Sequence, residues 1–305
     1  MNNNRENILK TLAYFNIFRY PLTKEEICNF HGLTVADEEI QQALFSLVAD
    51  RSIFMIDEFY SLQNDVSLAA RRRDGNLRAV EQMKKANRAA RILSKFPYVK
   101  GLAISGSLSK NYADEKTDID FFIITSANRL WIARTFMHLY KKFTFLTGRQ
   151  HWFCMNYYVD ESNLQINEKN IFTAMEIITL IPMYGADVLE DFMQANHWAF
   201  DFFPRFTALP KEMPPAGNNF LKRMLEKIFA GRFGNSTDNR LMKITDIRWK
   251  KKTRLQKRTE KGTVISMAVG KHYSKPNPRN FQEKVIEKYQ SKVNTLFLLQ
   301  AELQH

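Results

Sequence analysis

Ile104-Ser105-Gly106-Ser107-Leu108-Ser109-Lys110-Asn111-Tyr112-Ala113-Asp114-Glu115-Lys116-Thr117-Asp118-Ile119-Asp120-Phe121-Phe122-Ile123-Ile124 is the stretch that decides the fold. The apolar run Val99 to Ser105 leads into it as a strand, Gly106-Ser107 turns the chain, a short helix follows, and Asp118 to Ile124 reads as a second strand. Backbone beside a glycine can approach an anion closely, and a helix N-terminus offers unpaired N–H groups. Phosphate oxygens therefore fit at Gly106 and Ser107, with the Ser107 hydroxyl as a further donor. Alternation along a strand puts Asp118 and Asp120 on one face, with Ile119 and Phe121 turned to the core. Two carboxylates this close each disfavour ionisation of the other, a conflict that a bound divalent cation removes. Mg²⁺ takes hard oxygen ligands and commonly combines one or two carboxylates with substrate phosphates.

These residues resemble the DNA polymerase β-like nucleotidyltransferase superfamily, whose pattern is hydrophobic-Gly-Ser, about a dozen residues, then Asp-hydrophobic-Asp-hydrophobic. Small bacterial members often read Gly-Ser-x-Ala-Arg-Gly-x-Ala before Ser-Asp-hydrophobic-Asp. Here Ser109 stands at the Ala position, Lys110 at the Arg, Asn111 at the second Gly, Ala113 at the second Ala and Thr117 at the Ser. Asn tolerates the left-handed conformation that Gly provides. The resemblance covers roughly residues 99 to 160. It implies Mg²⁺-dependent transfer of a nucleoside monophosphate from a triphosphate, ATP first among the candidates, to a hydroxyl or similar acceptor. Asp118 and Asp120 would be the catalytic, metal-holding pair, and Gly106, Ser107 and Lys110 would hold the phosphates. A third acid is implied on the next core strand, after a helix from Ala127 to Leu146, but Asn156 fills that slot in Trp152 to Asp160. Asp160, beyond the strand centre, is the nearest acid in sequence. The acceptor stays open between a small molecule, a protein and RNA. A nucleotide-binding regulator on a catalytically weakened core is the alternative, and a winged-helix nucleic-acid-binding protein in which the core is only a scaffold is the third reading.

Around that stretch the chain reads as α+β in three parts: a winged-helix-like unit over 1–63, a nucleotidyltransferase core with a basic leading helix over 64–166, and a helical C-terminal domain over 167–305. Ile8, Leu9, Leu12, Ala13 and Phe15 fall at helical spacing, Thr23 and Glu26 form a capping box, and Ile40, Ala43, Leu44 and Leu47 share a face. Ile53 to Ile56 and Phe59 to Leu62 read as a hairpin. A winged helix-turn-helix would bind duplex DNA through its third helix. Asp37, Glu38, Glu39 and Asp50 stand on that helix, and residues 1–63 are net −4, so duplex binding is not expected. Residues 66–96 read as a basic helix or helix pair broken near Asp74-Gly75-Asn76. Ile171 to Pro182, Asp187 to Ala195, Asn219 to Phe229 and Pro278 to Gln304 read as helices, with Gly231 to Gly234 as a connection.

Net charge is +13 over 305 residues, and it is concentrated: 64–100 carries +7 and 241–305 carries +10, while 101–240 is neutral. Such potential attracts phosphates, though a solvated basic face fits equally, and the same two readings apply to Arg248 to Arg258, with seven basic residues and no acid. The two cysteines, Cys28 and Cys154, support neither a disulfide framework nor a zinc site. The most apolar run, Ile177 to Tyr184, is too short to span a bilayer. A cytoplasmic protein without a membrane segment is expected.

Overall fold

The structure is a computed structural model that describes residues 3–115, 118–146, 154–207, 220–256, 267–276 and 281–302. Three helices open the chain: α1 (Asn3–Asn16), α2 (Lys24–Asn29) and α3 (Asp37–Ala49). The capping box starts α2 as expected, with Thr23 accepting from the Glu26 N–H and the Glu26 carboxylate accepting from the Thr23 N–H. A hairpin follows, β1 (Phe54–Ile56) and β2 (Phe59–Ser61), turning through Asp57 at φ 54°. Leu22 adds a bridge to Tyr60. Ile8, Leu12, Ile27, Ile40 and Leu44 are all at most 2% exposed, and their cluster continues without a break into Ala103, Phe122 and Ile178 of the main sheet and its covering helix.

Residues 67–93 form one unbroken helix, α4 (Ser67–Leu93), so the expected break at Asp74-Gly75-Asn76 is overturned. Gly75 serves packing here. A Cβ at that position would lie 2.1 Å from the Tyr112 ring, and the Gly75 carbonyl accepts from the Ala113 N–H. Asn76 donates to the Asn111 carbonyl at 2.7 Å. The helix gives up about 1 kcal/mol of propensity at this glycine, and the loop after Gly106 gains a seat.

The main sheet is mixed, with six strands in the order β6-β3-β4-β5-β8-β7. Its strands are β3 (Val99–Ser105), β4 (Asp120–Thr125), β5 (Cys154–Asp160), β6 (Ile181–Tyr184), β7 (Met267–Val269) and β8 (Tyr273–Pro276). Among the described residues only β4 and β5 pair in parallel, joined by the crossover helix α5 (Leu130–Leu146), since parallel neighbours cannot be linked by a tight turn. β4 is buried on both faces. Phe121 and Ile123 pack with Trp131 and Met137 of α5, while Phe122 and Ile124 pack with α6 (Ile171–Ile178) and α7 (Ala186–Ala195). Asp120 has the parity of the second set.

The C-terminal part, expected to be a helical domain, contributes the short strands β6, β7 and β8 to the main sheet beside its helices. The Ile171 helix stops at Ile178, where Thr179 bonds back to Met175, and the segment with Pro182 becomes edge strand β6 beside β3. An edge strand tolerates proline because one row of its backbone groups needs no partner. Helices α8 (Phe220–Ile228), α9 (Gly231–Arg254) and α10 (Phe281–Glu302) complete the fold, and α9 begins in the glycine segment expected to be a connection. The basic run lies on the end of α9, where Lys252 sits over the Trp249 ring and Lys250 pairs with Asp246; Lys257 and Arg258 fall outside the described residues. Among the described residues no helix is long and apolar enough to cross a membrane.

Candidate functional site

β3 and β4 end together, with Ser105 opposite Asp120, and the chain leaves β3 at Gly106. Gly106 holds φ +72°, and a Cβ there would stand 2.9 Å from Asp120 Oδ2, so conformation and space both require glycine. The short helix expected next is a single 3-10 turn, Leu108–Lys110, closed by Asn111 at φ 54°, ψ 39°. Asn111 thus takes the left-handed place that its position in the motif suggested. With so short a helix the macrodipole has little to add, and Gly106 N–H, Ser107 and Lys110 are the groups that this turn could offer an anion.

A residue from outside the motif occupies this turn. Glu176, on α6, accepts from the Gly106 N–H (3.3 Å) through Oε2 and from Lys110 Nζ (2.8 Å) through Oε1. Lys110 also donates to the Gly106 carbonyl at 3.1 Å, and its side chain is only 15% exposed. Ser109 Oγ donates to the same carbonyl. The Glu176 carboxylate therefore sits where the sequence leads one to expect a phosphate. Glu176 is the single charged residue between Ile171 and Gly185, and a lone acid in an apolar helix is the signal that could have found it.

Tyr20 and Arg72 tie the N-terminal helices to the turn. Tyr20 donates its hydroxyl to the Lys110 carbonyl at 2.5 Å. Arg72, 4% exposed, donates to Glu26, to the Pro21 carbonyl and to Asn76, and lies 3.8 Å over the Tyr20 ring. Burial first, and then the charge of Glu26, push the Tyr20 phenol far above its usual range, which keeps it a donor. Part of the charge counted on α4 is thus structural.

Two cavities meet at Gly106, Asp120 and Glu176. One, of about 400 Å³, includes Ser107, Lys110, Arg71 and a wall of Tyr14, Phe15, Tyr20 and Tyr112. The other, of about 500 Å³, runs between β4, α6, α7 and α10. Of the predicted residues, Gly106, Ser107, Lys110 and Asp120 come together on the smaller cavity. Asp118 is half-buried just before β4, with Ile119 buried beside it, and is not among the lining residues described for either cavity.

The remaining acids divide sharply. Asn156 falls at an irregularity of β5, where Met155 pairs with Phe121 and Tyr157 with Phe122. Asp160 pairs with Thr125, five residues along β4 from Asp120, roughly 16 Å away at strand rise. It is 0% exposed and accepts from Asn128 N–H, Ser162 N–H and Ser162 Oγ, with His272 Nδ1 at 2.9 Å. Asp160 is therefore a structural anchor, committed to the chain's own donors and far from Asp120. Among the described residues no cluster of three or more His, Cys, Asp or Glu side chains could hold a metal ion. On α3, Asp37, Glu38, Glu39 and Asp50 are exposed, and Asp37 and Asp50 pair with Arg205 and Arg5. No protein-family model, no curated protein and no solved structure matches the chain.

Proposed function

We propose that the chain is a nucleotidyltransferase built on a DNA polymerase β-like core, moving a nucleoside monophosphate from a triphosphate, ATP first among the candidates, to an acceptor. The observation that carries this is the convergence at the end of β3 and β4: the Asp120 carboxylate over a left-handed Gly106, with Ser107 and Lys110 on the same cavity. The strand, turn, strand, helix, strand order from β3 to β5 supports it. Glu176 adds a second support, since an anion already accepts from the backbone N–H and the ammonium that would hold phosphate.

Carboxylate oxygens suit Mg²⁺, which needs only one or two of them beside substrate phosphates. Asp118 and Asp120, alternating with buried Ile119 and Phe121, would hold it. When bound it would offset charge on the transferring phosphoryl group. The protein's own work is to bind and to move a proton. Triphosphate oxygens displace Glu176 from Gly106 N–H and Lys110. The acceptor oxygen then forms a bond to the α-phosphorus, the bond from that phosphorus to the bridging oxygen breaks, and pyrophosphate leaves with the electron pair. The acceptor proton passes to the released Glu176 carboxylate, which lines both cavities. Glu176 thus takes the part for which the next core strand offers only Asn156.

The test is pyrophosphate release from each of the four triphosphates, with and without cell extract as acceptor source, in wild type and in the Asp118→Asn/Asp120→Asn double variant. Release by wild type and its loss in the variant are expected, together with loss of Mg²⁺-dependent triphosphate binding by calorimetry. Release that persists in the double variant sinks the mechanism. A second reading, a nucleotide-binding regulator, is favoured by the amide at position 156. It requires triphosphate binding with no pyrophosphate release in any combination.

A further inference from the structure

The two cavities share Gly106, Asp120, Phe172, Glu176 and Phe281 but differ in everything else. The smaller holds Lys110 and Arg71 and a set of aromatic rings. Arg71 stands 5.0 Å over the Tyr112 ring and donates to the carbonyls of Phe18 and Arg19. Anionic phosphates and a flat base fit that chamber, because rings stack bases and cations offset phosphate charge.

The larger cavity is likewise mostly apolar but differs in its charged groups. Phe122, Ile166, Ile177, Leu180, Phe192 and Ile286 line it and none of them lines the smaller one. Among the described lining residues its one cation, Lys275, is paired with Glu168, and Glu283 adds a negative charge that the smaller cavity lacks. A further phosphate or carboxylate would be repelled. A nucleic-acid strand would lack the basic groove that single strands require. The volume, about 500 Å³, falls within the range of small-molecule pockets, roughly 300 to 1,000 Å³.

We propose, resting on the transferase reading, that the larger cavity is the acceptor chamber and that its acceptor is an uncharged, predominantly apolar small molecule bearing a hydroxyl. Its ring or chain lies among Phe122, Phe192 and Leu180. Its hydroxyl reaches the junction at Asp120 and Glu176, where the α-phosphate arrives from the other side. Small molecules are thereby separated from proteins and RNA as acceptors.

The test uses the full chain and the neutral fluorophore N-phenylnaphthylamine. Saturable binding of one probe per chain is expected, and ATP with Mg²⁺ should bind alongside it without displacing it. Ile286→Trp, on a half-buried position of α10 that lines only this chamber, should weaken the probe by about tenfold or more, as overfilled sites do, and leave ATP affinity unchanged. In the turnover arm, the solvent-extractable neutral fraction of a cell extract should support pyrophosphate release, and the probe should block that support. Displacement of the probe by ATP overturns the partition, because the chamber then takes the nucleotide. Release supported by the protein or RNA fraction and not by the neutral fraction overturns the acceptor class. Probe binding without any ATP binding defeats the transferase reading itself and the acceptor role with it.

Discussion

Asp120 and Asp160 stand at opposite ends of the same parallel pair of strands, and they lead opposite lives. Asp160 is fully buried, and both its oxygens are consumed by backbone, serine and histidine donors. Asp120 is half-buried at the meeting of two cavities, over a glycine kept bare for it. A carboxylate sealed in the core among the chain's own donors holds the fold together, whereas one on a cavity wall can be reached from outside. Position on a strand end does not separate the two; burial against cavity lining does.

The largest effect expected from this contrast is on stability. Asp160→Ala leaves several buried donors without an acceptor and should cost about 3 to 5 kcal/mol in urea unfolding. Asp120→Asn should cost less than about 1 kcal/mol, as changes outside the packed core usually do. Equal losses at the two positions would erase the distinction. Urea melts of both variants against wild type decide it.

Asp238 sharpens the same comparison. It is 3% exposed, reaches from α9 to the start of α5 and accepts from the Ile132 N–H at 2.9 Å. Burial pushes its carboxyl up from 3.8 to about 6, against the backbone N–H groups of Ile132 and Trp131 and the charge of Arg129, with Asp160 adding to the rise. A raised folded value means stability that is full below about pH 4 and lost as pH rises through about 6. A rise of that size corresponds to about 3 kcal/mol. Wild type should therefore lose about that much between about pH 4 and pH 7 relative to Asp238→Asn, measured by urea midpoints across the range. A pH-independent difference would show that the cap, and not its charge, governs this end of the sheet.

At the Asp120 end the expected effect is smaller. Glu176→Gln keeps an acceptor for Gly106 N–H but removes the charge that competes for Lys110, so triphosphate affinity should rise about tenfold, or about 1.4 kcal/mol. Turnover should fall at the same time, because an amide cannot take the acceptor proton. Calorimetry and pyrophosphate release separate the two. Weaker binding in the variant would make Glu176 a structural partner of Lys110, closer in kind to Asp160. The smallest effect belongs to the N-terminal unit: residues 1–63 alone, net −4, should bind random duplex DNA no more tightly than micromolar at low salt, since the third helix presents acids to solvent. Submicromolar anisotropy titrations would overturn that expectation.

The first helices, the hairpin and the strand pair around Gly106 were legible because each rests on local rules: helical spacing, a capping box, alternation and a positive-φ position. That Asp120, Ser107 and Lys110 come together on one cavity was legible for the same reason, since they are close in sequence. Glu176 was not, because its role comes from a contact 66 residues from Lys110. Gly75 misled for a related reason. Its turn-like neighbours argue for a break, and only the Tyr112 ring against it explains a glycine in mid-helix. The short strands β6, β7 and β8 escaped because three or four residues carry too little periodicity to oppose the helices around them.

Those late strands also set the timing of assembly. β3 receives its outer neighbour from residues 181–184, and β5 receives its own from residues 273–276. During synthesis the site residues up to Asp120 emerge long before the sheet that supports them can close, so the nascent chain carries β5 as an open edge until nearly nine-tenths of the 305 residues are made. Unpaired edges recruit other strands. The half-made chain is therefore the form most exposed to misassembly, and chaperone demand should peak between the emergence of β5 and that of β8.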